Sequence, residues 1–291
     1  MSVYDALIAP FMDFGFMRRA LVACIALALG SGPVGILLML RRMSLVGDAM
    51  SHAVLPGAAI GFLLAGGLSL PAMGLGGLVA GLTVAFLSGL VSRSTNLRED
   101  ASFASFYLTS LAAGVLIISA HGSNIDLLHV LFGTILAINA QALYLVGAIT
   151  TLTLLTFAFV YRPLVAECFD PGFLRAVGGY GHFYHLLFLV LVVLNLVAGF
   201  QALGTLMAVG LMMLPASVAQ LWARSLPMLM LIAIGTAMIS GYIGLIISFH
   251  FAFASGPSIV LTAGLFYGVS LLISPTGALR RLLPSQPHLI R

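Results

Sequence analysis

The chain has 291 residues, 61% of them apolar and only 7% charged, with a mean hydropathy of +1.17. A soluble domain carries about a quarter charged residues and roughly half apolar ones, so water cannot solvate this chain and lipid must. Its formal charge of +4 comes from twelve arginines without a single lysine, which excludes a Walker-type phosphate loop and with it an ATP motor, Schiff-base chemistry and lysine general bases.

A hydrocarbon core about 30 Å thick takes about 20 apolar residues per helix, so the length accommodates eight to ten spans in one membrane domain. Residues 1–17 contain Asp5, Pro10 and Asp13. They lack the charged start and clean apolar core of a cleavable signal peptide and read as a short interfacial helix. Apolar runs follow at 20–40, 44–66, 71–92, 101–120, 142–160, 182–199, 200–222, 226–249 and 258–274. The stretch 127–138 is too short to span and reads as a re-entrant or interfacial piece. The expected fold is therefore an all-α, polytopic membrane bundle of eight to nine transmembrane helices.

Pro33, Pro56 and Pro215 fall inside runs, where each removes a backbone hydrogen bond and bends its helix. Gly57 with Gly61, and Gly77 with Gly81, have the four-residue spacing of close helix packing. Cys24 and Cys168 are far apart and imply neither a disulfide framework nor a thiolate metal site.

Arginine counting sets the orientation. With the N-terminus outside and the C-terminus in the cytoplasm, Arg41, Arg42, Arg93, Arg98, Arg162, Arg175, Arg224, Arg280, Arg281 and Arg291 fall inside, and only Arg18 and Arg19 fall outside. The basic residues are thus topology signals rather than a nucleic-acid surface. This layout puts Glu99, Asp100, Glu167 and Asp170 in cytoplasmic loops, with His182 and His185 as interfacial anchors. His121, Asp126 and His129 fall in outer loops. His250 falls at the outer boundary, as an interfacial residue or a gate ligand.

The most informative stretch is Gly47-Asp48-Ala49-Met50-Ser51-His52-Ala53-Val54-Leu55-Pro56-Gly57. Asp48 and His52 share one helix face, one turn apart. Counted from the arginines at 1.5 Å per residue, Asp48 lies roughly 9 Å into the membrane and His52 about 15 Å. Ionisable groups at such depth cost at least ~2.5 kcal/mol unless paired or wetted. A carboxylate and an imidazole suit Zn²⁺ or Mn²⁺; from spacing alone, a local cap or an inter-helix hydrogen bond accounts for them equally. In residues 167–178, Asp170-Pro171 opens a helix and Gly178 closes it. That is either a short helix docking a soluble partner or an ordinary surface turn.

Further blocks follow in order: Met43-Ser44-Leu45-Val46 ahead of Gly47, Glu99-Asp100, Leu127-Leu128-His129-Val130-Leu131-Phe132-Gly133, and Phe169-Asp170-Pro171 through Gly178. Leu203-Gly204-Thr205 through Leu214-Pro215-Ala216 and Ser255-Gly256-Pro257-Ser258-Ile259-Val260 complete the series. With these the chain resembles the permeases of zinc and manganese ABC importers, Gly-Asp-Ala-x-Ser-His-Ala being the most specific block. The resemblance implies one permease domain over 1–291, homodimeric, in the inner (plasma) membrane. Its implied partners are two copies of a cytoplasmic ATP-binding subunit and a periplasmic or lipid-anchored metal-binding protein. The chain itself is then a transport subunit, not an enzyme, with no cofactor of its own. Asp48 and His52 become pathway contacts for the cargo, Zn²⁺ first and Mn²⁺ second. Residues 167–178, with Phe169, Asp170, Pro171, Arg175 and Gly178, become the coupling helix. Relatives often carry an aspartate and a proline where this chain has Ala252 and Ala254, which weakens any metal role for His250.

Three alternatives stand beside this reading. One is a permease for a metal chelate such as a siderophore or haem. Another is a proton-coupled carrier using Asp48 and His52 as a relay. A membrane enzyme is the third, and no His-Glu-x-x-His or Gly-x-Ser-x-Gly segment supports it.

Overall fold

A computed structural model of the chain describes residue 4 and residues 7–67, 69–95, 97, 99–120, 140–170 and 180–275. Among them every regular element is a helix. A short α1 (Ala9–Asp13) precedes α2 (Gly15–Leu40), α3 (Ser44–Ala65), α4 (Leu70–Ser94), α5 (Glu99–Ala120) and α6 (Ala140–Phe169). Then come α7 (Gly181–Leu203), α8 (Thr205–Trp222), α9 (Leu226–Phe251) and α10 (Ser255–Ile273). Among the described residues, nine of these, α2 to α10, are long and apolar enough to cross a membrane. In lipid a spanning segment has to satisfy its own backbone polar groups, and helices do so internally.

The bundle is built around α2 and α7, the most enclosed helices. One core cluster gathers Leu37 and Leu38 of α2, Met50 and Val54 of α3, Phe103 of α5, Leu164 of α6, Met212 of α8 and Phe188, Val192 and Leu196 of α7. A second joins Cys24 and Leu27 of α2 to Val146, Met207, Leu211, Ala237, Leu245 and Ile259. Small residues set the spacing. A Cβ on Gly57 would run into the backbone oxygen of Gly76, and one on Gly61 into that of Ala72, so α3 and α4 touch along their backbones. The Gly57/Gly61 spacing has the packing role expected of it; its counterpart on α4 begins at Gly76, while Gly77 and Gly81 receive the side chain of Val54.

The connections are tight. At the end of α2 the Arg42 N–H donates to the Met39 carbonyl and the Met43 N–H to the Leu38 carbonyl, both at 3.0 Å, with Arg42 at φ 58°. That is a Schellman turn with an arginine in the position glycine usually takes. The end of α3 repeats it with Gly66 at φ 67°, and only Gly204, at φ 94°, separates α7 from α8.

Pro33, Pro56 and Pro215 lie inside their helices, as does Pro163 in α6. Cys24 and Cys168 are buried free thiols. Three expectations change. The run expected at 142–160 continues to Phe169, so Glu167 is not in a loop but in the last turn of a spanning helix, where it is buried. Arg41, described below, pairs with it there. His185 is likewise buried rather than interfacial. The N-terminal segment breaks at Phe14, and Gly15 to Met17 already belong to α2, with Met17 buried. Phe11 of α1 stacks on Tyr242 of α9 at 5.2 Å, and the Tyr242 hydroxyl donates to the Leu7 carbonyl at 2.9 Å. The segment 127–138, His121, Asp126, His129, Arg98, Arg175, Arg280, Arg281 and Arg291 lie outside the described residues.

Candidate metal contacts

Asp48 and His52 stand where the spacing puts them, on one face of α3. Because α3 starts at Ser44, a rise of 1.5 Å per residue puts Asp48 only about 6 Å and His52 about 12 Å from its beginning, shallower than counting from the arginines suggests. His52 Nε2 lies 3.8 Å from Asp48 Oδ1. Two ligands each about 2.1 Å from one tetrahedral ion stand about 3.4 Å apart, so a small side-chain adjustment brings the pair onto a shared divalent cation. Neither is sealed inside the single chain: the Asp48 side chain is 61% exposed and that of His52 37%.

Two features around the pair are invisible in its spacing. Tyr107 of α5 lies against the His52 imidazole, centroids 6.2 Å apart and planes 27° from parallel, which limits the ring's orientation. Pro56, four residues after His52, has no N–H to give the His52 carbonyl. Pro56 packs at Gly114 of α5, where a Cβ would stand 2.8 Å from its ring. Beyond His52, Pro56, Ile60, Leu75, Thr83, Phe106 and Thr109 line part of an apolar groove of 820 Å³ between α3, α4 and α5.

Among the described residues no three histidines, cysteines or carboxylates gather into one metal site. His250 ends α9, exposed and edge-on to Phe249, with Ala252 in the left-handed region at φ 53°. Of the coupling-helix residues, Phe169 closes α6 and Asp170 follows it, its N–H donating to the Ala166 carbonyl at 2.9 Å. Pro171, Arg175 and Gly178 lie outside the described residues.

The other charge centre sits at the opposite end of α2 from Arg18 and Arg19. Arg41 Nη1 donates to His185 Nδ1 at 2.6 Å, Nη2 lies 3.4 Å from Glu167 Oε1, and the guanidinium stands 5.2 Å over the Phe188 ring. The Arg41 and Glu167 side chains are only 8% and 6% exposed. Arg41 is thus more than a topology signal. Arginine counting registers its sign and not its partners, which is why the cluster is not evident from sequence.

Residues 13–274 match the ABC 3 transport family. The chain belongs to that family. As an ABC 3 permease it is 35% identical to the manganese import system permease protein ScaB of Streptococcus parasanguinis, over 92% of this chain and 96% of that one. It is 31% identical to the chelated iron transport system membrane protein YfeD of Yersinia pestis, over 94% of this chain and 90% of that one. In three dimensions this permease superposes on PsaBC from Streptococcus pneumoniae, solved in complex with Fab, with a TM-score of 0.82 at 34% identity, covering 95% of this chain and 99% of that one.

Proposed function

We propose that this permease is the membrane subunit of an ATP-driven importer of Mn²⁺, working as a homodimer with two cytoplasmic ATP-binding subunits and an external metal-binding protein. The observation that carries the metal site is the Asp48–His52 pair, 3.8 Å apart on an accessible face of α3. A carboxylate oxygen with one imidazole suits Mn²⁺ as well as Zn²⁺, and the manganese permease relative at 35% identity supports Mn²⁺ ahead of Zn²⁺, reversing the order expected from sequence. Two donors per chain hold an ion loosely enough to release it. Two copies meeting across this face bring two such pairs to one passage.

The bundle end carrying Arg41, Arg42 and Arg224 faces the cytoplasm, and that carrying Arg18 and Arg19 faces outward, as the positive-inside rule favours. Residues 167–178 dock the ATPase, and alternating access follows from its ATP cycle. Family membership favours this machine over a proton-coupled carrier. The chelated-iron relative keeps a second cargo in view.

The test is uptake of radioactive manganese into proteoliposomes holding the permease, its ATPase and its binding protein. Asp48→Asn and His52→Ala complexes that assemble normally are expected to lose uptake at least about tenfold, the low end of what removing even a hydrogen-bonding partner of a metal ligand costs. Uptake at the wild-type rate removes the pair from the pathway. Competition by Zn²⁺ and by a ferric chelate separates the cargoes.

A further inference from the structure

We propose that Arg41 is a positioning residue that couples the ATPase-facing end of the permease to the helix bearing Asp48 and His52. This rests on the function proposed above.

Three observations meet at Arg41. First, its partners bracket the stretch assigned to ATPase docking: Glu167, where that stretch begins, lies in the last turn of α6, and His185 follows it in the first turns of α7. Since a guanidinium can only donate, one side chain holds both helix ends at once, at 2.6 Å to His185 Nδ1 and 3.4 Å to Glu167 Oε1. Second, the guanidinium is enclosed, with Phe188 beneath it. Burying an ion pair is commonly no more stabilising than an apolar pair of the same volume, and breaking one partner away is far worse. Such a contact is better suited to fixing one arrangement of helices than to holding the fold together.

Third, what lies beyond Arg41 is short and stiff. The Schellman turn of Arg41, Arg42 and Met43 joins α2 to α3 with both of its hydrogen bonds formed and Met43 buried. Arg42 adopts a left-handed conformation that is costly for a residue with a Cβ. A displacement of the α6 and α7 ends that pulls on Arg41 therefore reaches Ser44 without slack and turns the face of α3 that presents Asp48. A chain of charge contact, rigid turn and helix joins the two ends of the mechanism, and a measured change in coupling is what shows that it carries the signal.

The experiment measures Mn²⁺ moved per ATP hydrolysed in proteoliposomes containing permease, ATPase and binding protein. The apolar pair R41M/E167M removes the tie without stranding a buried charge. In assembled complexes Mn²⁺ moved per ATP is expected to fall by at least about fivefold, the low end of ordinary inter-site coupling. R41K keeps the charge but loses the planar two-pronged fork, and is expected to fall between wild type and R41M/E167M. A merely structural role would lower the yield of complex and leave this ratio unchanged. A wild-type ratio in assembled R41M/E167M overturns the proposal. If that pair does not assemble, R41K decides alone: a lowered ratio supports coupling and an unchanged one overturns it. Failure of both variants to assemble also overturns it, because Arg41 would then be a folding requirement. A wild-type complex without ATP-dependent Mn²⁺ uptake would instead sink the proposed function and leave R41M/E167M irrelevant to it.

Discussion

Asn195 lies near the middle of α7, buried, and its Nδ2 donates at 2.9 Å both to Thr153 Oγ1 of α6 and to the Leu191 carbonyl. Its Oδ1 faces Gly30, where a Cβ would come within 2.5 Å, so three helices meet at one amide. Hydrogen bonds between membrane helices are worth about 0.6 kcal/mol on average and up to roughly 2. Asn195→Ala is expected to destabilise the purified permease by on the order of 1 kcal/mol, read as a lower thermal midpoint in detergent. An unchanged midpoint would show that the amide does not tie α6 to α7. Residues of this kind separate what the sequence reveals from what it hides. Asp48 and His52 are legible because both lie on one helix, where spacing fixes geometry. Arg41, Glu167 and His185 come from three helices, and nothing in their local sequence records that they meet.

At the scale of elements, α3 and α4 show how small residues turn a hydrophobic pattern into a particular packing. Gly57→Ala puts a methyl group against the Gly76 carbonyl and has to push the helices apart; overpacking of this sort costs about 1–3 kcal/mol. Gly264→Ala in α10 has no atom within 4 Å of the added methyl. The first variant is expected to lose stability and the second to keep it, compared by thermal denaturation of the two proteins. Equal midpoints would mean that the α3–α4 contact gives way easily. The number of spans was readable from apolar length, because lipid demands it. Boundaries were less so: α2 begins at Gly15 rather than 20, and α8 at Thr205 rather than 200. The end of α6 moved from 160 to Phe169: the helix runs on past the apolar run through the exposed Arg162, and Glu167 near its end meets Arg41 of α2.

For the whole molecule, the exposure of Asp48 is the decisive quantity. A carboxylate 61% exposed on the side of a single bundle is costly against hydrocarbon and needs water or a partner beside it. A second copy is expected to cover it and enclose water beside it. The mass of the detergent-purified complex should therefore correspond to two permease chains with two ATPase subunits; one permease chain per complex would leave α3 without a passage. Composition alone settled that the chain is a membrane bundle and lacks the lysine of a Walker-type loop, since solvation and residue content do not depend on arrangement. The pairing of Asp48 with His52 followed from helical period. Only the tertiary structure decided that Tyr107 stands against His52, that α3 and α4 touch backbone to backbone, and that Arg41 binds the ends of α6 and α7. Those contacts join residues far apart in the chain, and packing, rather than any local preference, brings them together.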